Sequence, residues 1–82
     1  MATIDYQRMS RVYPSQKRAL SRATSLEQIE AACISAVEEW EQIGCWPDSW
    51  ADWQRKLDDA RPWREQISLH DLHTQAGADR LF

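Results

Sequence analysis

The sequence predicts an all-α protein: a small single-domain helical bundle built on a central helical hairpin, about 25–43 and 47–60, with short flanking helices. Apolar residues recur every three or four positions along both hairpin segments, the period of a helix with one buried face. Each segment is also bounded by helix start and stop signals. A strand reading is open only to residues 67–72, and no second strand pattern exists to pair with them.

The chain divides into a basic N-terminal segment (1–23), an acidic helix (25–43), a tryptophan-rich helix (47–60) and a C-terminal segment (62–82). In the first, Tyr6, Met9, Tyr13 and Leu20 form a weak helical stripe. Pro14 lacks the amide N–H that a helix interior requires, so two short helices are expected, near 4–12 and 15–23. In the second, Thr24 with Glu27 and Ser25 with Gln28 match the capping-box spacing that satisfies amide donors at a helix start. Leu26, Ile29, Cys33, Val37 and Trp40 form the buried stripe, Ile34 and Ile43 widen it, and Gly44 supplies the left-handed residue that closes a helix.

Pro47 and Asp48 suit the first turn of the third helix. Trp46, Trp50, Trp53 and Leu57 share one face there, with Ser49, Asp52, Lys56 and Asp59 opposite. The helix is expected to stop before Pro62, which pushes the preceding residue out of helical geometry. Ser68 with Asp71 resembles a cap, and Leu69, Leu72 and Gly77 suggest a last short helix followed by a loose tail over 78–82.

All five tryptophans lie between Trp40 and Trp63, so one short stretch supplies much of the apolar bulk of an 82-residue chain. A domain of this size holds one core that is only just sufficient. The residues expected to fill it are Leu20, Leu26, Ile29, Cys33, Ile34, Val37, Trp40, Ile43, Trp46, Trp50, Trp53, Leu57, Trp63, Ile67, Leu69 and Leu72. Trp40, Trp50 and Trp53 are expected to form the inward seam of the hairpin, leaving Trp46 and Trp63 for partial exposure.

An apolar content of 43% with 28% charged residues describes a soluble folded chain. No apolar run approaches the ~18 residues of a membrane span, and the N-terminus lacks the apolar stretch of a signal peptide. No membrane partner and a cytoplasmic location follow as expectations. Cys33 and Cys45 are too far apart along a helix for a disulfide and are expected to be reduced.

Catalysis finds little support. The only glycines are Gly44 and Gly77, so there is no phosphate-cradling loop, and no nucleophile is paired with a recognisable base. The chain is therefore expected not to be an enzyme and to need no cofactor. His70 and His73 stand at metal-sharing spacing, but zinc requires further ligands and no accepted set is present, so no metal is expected.

Charge is distributed unevenly. Residues 1–22 carry Arg8, Arg11, Lys17, Arg18 and Arg22 against Asp5, whereas residues 23–51 carry six acidic groups and no basic one. Glu30, Glu38 and Glu41 share a helical face with Glu27 nearby, a carboxylate row that attracts a basic surface and imitates nucleic-acid phosphates. The favoured expectation is a protein-binding module that contacts its partner through Glu27, Glu30, Glu38, Glu41, Trp46 and Trp63. A compact acidic chain without catalytic apparatus is the type of phage- or plasmid-encoded inhibitors and adaptors, here acting on a larger, nucleic-acid-handling partner.

The alternative is a nucleic-acid-binding accessory protein using Arg8, Arg11, Lys17, Arg18 and Arg22. Binding by the hairpin as a helix–turn–helix is disfavoured. Trp40 occupies the position where close helix approach needs a small residue, and Asp48, Asp52, Asp58 and Asp59 would repel phosphates. The basic segment can instead lie over the acidic helix, within one chain or across a homodimer.

Overall fold

A computed structural model describes residues 3–81, and among them every regular element is helical. Helix α1 spans Tyr6–Arg22, α2 Leu26–Ile43, α3 Trp50–Ala60 and α4 Leu69–Leu81, with a 3₁₀ turn at Trp63–Glu65. Helix α2 is central: α1, α3 and α4 each pack on it. This follows from its sequence, whose wide apolar stripe buries Ile29, Cys33, Ala36, Val37, Trp40 and Ile43.

At the start of α2 the Ser25–Gln28 pair forms, and not Thr24–Glu27, while at its end Gly44 acts as the sequence implies. Ser25 Oγ accepts from the Gln28 amide at 3.2 Å, and the Gln28 side chain accepts in return from the Thr24 amide at 2.9 Å. Gly44 closes the helix at φ 100°, donating to the Trp40 carbonyl at 2.9 Å. A Cβ at Gly44 would stand 3.7 Å from Ile4 Cα, because the N-terminal segment crosses there and the Asp5 amide donates to the Ile43 carbonyl at 3.0 Å.

Pro14 does not divide the N-terminal region: α1 runs through it as one helix, in place of the two expected short helices. The missing hydrogen bond would have ended on the Ser10 carbonyl. Pro14 and Ser10 are both exposed, so the break in the hydrogen-bond ladder falls on the outer side of the helix and not in the core. Both sides of the proline are also tied to α2. Arg8 reaches Glu39 on one side, and Gln16 accepts from the Trp40 indole on the other.

Helix α3 begins at Trp50, later than the expected residue 47. Pro47 and Ser49 instead make tight turns, their carbonyls accepting from the amides of Trp50 and Asp52, and Asp48 lies in the turn without capping the helix. Helix α4 begins as expected, with Ser68 Oγ accepting from the Asp71 amide at 3.1 Å. It then continues through residues 78–81, where a loose tail was expected; Phe82 lies outside the described residues. Gln54 fixes the approach to α4, accepting from the Leu69 amide and donating to the Ile67 carbonyl, each at 2.9 Å.

The core consists of Leu20, Ile29, Cys33, Ala36, Val37, Trp40, Ile43, Trp53, Leu57, Leu69 and Leu72. Leu26, Ile34, Trp46 and Ile67 pack against it half-buried; Trp63 is exposed, in the direction expected of it, whereas Trp50, expected in the inward seam, is exposed as well. Trp40 and Trp53 are its largest members; burial of about 150–250 Å² each stabilises the fold by up to about 4–6 kcal/mol per ring.

Candidate functional site

Aromatic side chains form a relay from the centre of the bundle to its rim. Trp53 and Trp40 meet edge to face at 5.3 Å and 90°, Trp46 lies 5.4 Å beyond Trp40, and Trp50 lies 5.9 Å beyond Trp46 at 76°. Tyr13 extends the inner end, 6.4 Å from Trp53, with its hydroxyl bonded to Ser49 Oγ. Each tilted or edge-to-face pair adds about 0.5–1.5 kcal/mol beyond burial and fixes the rings in place.

The indole N–H groups distinguish the inner rings from the outer ones. Trp40 donates to Gln16 at 3.1 Å, Trp46 to Glu41 at 3.2 Å and Trp53 to the Tyr13 hydroxyl at 3.4 Å. Trp50 and Trp63 have no acceptor for theirs among the described residues. They are also the exposed tryptophans, at 42% and 76%. Over Trp63 lies the Arg64 guanidinium, 5.2 Å from the ring centroid.

Trp50 corrects the expected inward seam. Its position around the helix axis is shared with Trp53 and Leu57, as the spacing implies. Its position along the axis is the difference: Trp53 is level with Trp40, so Trp50, at the first residue of α3, lies at the end of α2, and its aromatic contact among the described residues is with Trp46. Trp46, in the turn, is half-buried between Trp40 and Trp50.

The acidic residues separate in the same way. Glu30 accepts from Arg61 at 3.2 Å, a part-buried pair that ties α2 to the end of α3. Glu41 is exposed beside Trp46, Glu27 is exposed in the first turn of α2, and Glu38 is half-buried with a contact inside its own chain. Of the four carboxylates, Glu41 lies beside the tryptophan rim and Glu30 is engaged by Arg61.

Among the basic residues, Arg8 is held by Glu39 at 2.7 Å and Gln42 at 2.8 Å, and the Lys17 ammonium lies 5.1 Å from the Tyr13 ring centroid. Arg11, Arg18 and Arg22 are exposed on one side of α1 and make no ion pair among the described residues.

Cys33 is a buried free thiol. Burial pushes its thiol from an ordinary 9.0 up to about 11, with Glu30 adding to the rise and Lys56 opposing it. At neutral pH it is therefore a packed, protonated side chain. Cys45 is also a free thiol, half-buried in the turn before Trp46. His70 is exposed and its carbonyl accepts from Thr74 Oγ1 at 2.9 Å; among the described residues no group of three metal-ligating side chains converges. The surface depressions are shallow, one lined by Ile29, Asp52, Arg55, Lys56, Asp59 and Ala60, another by Ala19, Arg22, Ala23, Gln28, Ala31 and Ala32.

No protein-family model, curated protein or solved structure matches the chain.

Proposed function

We propose that this chain is a small non-enzymatic protein-binding module that covers part of a larger partner with the two ends of α3. The observation that carries this reading is the exposure of Trp50 and Trp63, both with an indole N–H that has no acceptor among the described residues. An exposed tryptophan contributes most to an interface when its ring enters an apolar pocket and its N–H finds an acceptor there. Trp50 is backed by Trp46 and Trp40, so little conformational freedom remains for it to lose on binding. The two rings bracket α3, whose eleven residues make it about 16 Å long.

The exposed carboxylate of Glu41 beside Trp46 suits a partner whose pocket has a basic edge. Nucleic-acid-handling proteins carry such edges, and an inhibitor or adaptor of phage or plasmid type is the form of module that this combination favours.

The test is affinity capture from the native host with the wild-type chain, Trp50→Ala and Trp63→Ala, each first shown to be helical by circular dichroism. The retained protein is then purified and titrated. A partner that binds the wild-type chain and loses at least tenfold in affinity for either variant supports the reading. Equal binding by all three chains defeats it.

A further inference from the structure

Helices α1 and α2 lie antiparallel. At one end Arg8 meets Glu39; at the other Ala19, Arg22 and Ala23 face Gln28, Ala31 and Ala32 across a shallow groove. Position 8 is thus level with 39 and position 22 with 28. To within a residue or two, 11 is level with 38, and 22 with 27.

The outward side of this helix pair is charged in two halves. On α1, Arg11, Arg18 and Arg22 project at i, i+7 and i+11, on the side of the helix away from the buried Leu20. On α2, the exposed Glu27 and the half-buried Glu38 stand at i and i+11, with the exposed Ala31 and Ser35 between them. Eleven residues separate Arg11 from Arg22, and eleven separate Glu27 from Glu38, about 16.5 Å of helix in both cases.

We propose that this α1–α2 face binds a second copy of the chain about a two-fold axis running parallel to the two helices. That rotation lays α1 of each copy over α2 of the other in the same antiparallel register as the intramolecular pair. Arg11 then lies over Glu38 of the second copy and Arg22 over its Glu27, and the symmetry repeats both contacts. Glu38 already has a contact in its own chain, so Arg11 is an additional cation for its carboxylate.

The groove between the halves fits this occupant. Ala19, Ala23, Ala31 and Ala32 line it with side chains that end at Cβ, so helices can approach to the ordinary packing distance of about 8–10 Å. Two helices of 17 and 18 residues side by side present on the order of 500 Å² per chain. Doubled, this is near the lower limit for a specific interface, so the dimer is weak and salt-sensitive. The surface is distinct from the Trp50–Trp63 rim and does not depend on its function.

The experiment is sedimentation of the full chain over a concentration range extending to roughly 1 mM. It compares the wild type with Arg11→Glu/Arg22→Glu, with Glu27→Arg/Glu38→Arg, and with an equimolar mixture of the two variants. The wild type is expected to dimerise at low salt and to dissociate as salt rises. Each variant alone is expected to be monomeric, while the mixture forms a heterodimer because each reversed α1 or α2 meets its opposite. Ala31→Trp, at an exposed groove position with all charges intact, is expected to be monomeric too, which keeps the test decisive if a charge variant folds poorly. A wild-type monomer at every concentration overturns the proposal, as does a dimer that the charge variants leave intact. A monomer that binds DNA or RNA through Arg11 and Arg22 also overturns it and assigns the arginine row to phosphates.

Discussion

The ammonium of Lys56 donates to the carbonyl oxygen of Leu20 at 2.6 Å, so α3 supplies the cation that closes α1. Leu20 lies in the last turn of α1, where the helix dipole is negative and its carbonyl accepts only a shared bond from the capping Ala23 amide at 3.2 Å. Replacing Lys56 with Met keeps the apolar stem and removes only the charge and its hydrogen bonds. Lys56→Met is expected to lower stability by about 1–2 kcal/mol, read as a fall in the urea midpoint without a change in slope.

Pro14 gives a prediction of the opposite sign. It is an exposed proline inside a continuous helix, so alanine there restores an amide that can bond to the Ser10 carbonyl. The local gain of up to about 3 kcal/mol is reduced by roughly 0.4–1 kcal/mol because alanine leaves the unfolded chain freer. Pro14→Ala is expected to raise the thermal midpoint in a melting curve followed at 222 nm.

Continuity of α1 was not legible because proline chemistry is local, whereas the contacts that hold both halves of the helix come from α2, distant in sequence. The α2 boundaries were legible because Ser25, Gln28 and Gly44 act within one turn of where they stand. The same division runs through the candidate site. Helical spacing reported the azimuth of Trp50 correctly and was silent about its height along the bundle, which depends on where α2 ends. The anchoring of α4 by Gln54 and the capping of α1 by Lys56 were invisible for the same reason: each residue bonds to backbone groups of another segment.

The two ends of the tryptophan relay separate stability from recognition. Trp40→Ala empties the centre and is expected to cost about 3–5 kcal/mol. Trp50→Ala removes a ring at the rim and is expected to cost less than about 1.5 kcal/mol. Chemical denaturation of the two variants measures the contrast, and equal losses would place Trp50 in the core after all.

Cys33 links stability to alkaline pH. Burial pushes its thiol up from an ordinary 9.0 to about 11, so the folded state holds the proton more tightly. The stabilisation from this site is complete below pH 9 and is lost as pH rises to about 11, by up to about 2–3 kcal/mol. The difference in unfolding free energy between the wild type and Cys33→Ala is expected to shrink over that window. At neutral pH a thiol reagent should modify Cys45 rapidly and Cys33 only on unfolding, because Cys33 is fully buried.

The stacked indoles also have an optical consequence. Rings held 5.3–5.9 Å apart exchange electronic excitation, so light absorbed at Trp53 or Trp40 can migrate outward through Trp46 to Trp50. Trp50 is the most solvated member of that series, and water lowers the energy of its emitting state. Emission from the buried rings should therefore report on the rim, and a molecule that covers Trp50 should shift the fluorescence of the whole series without any added label.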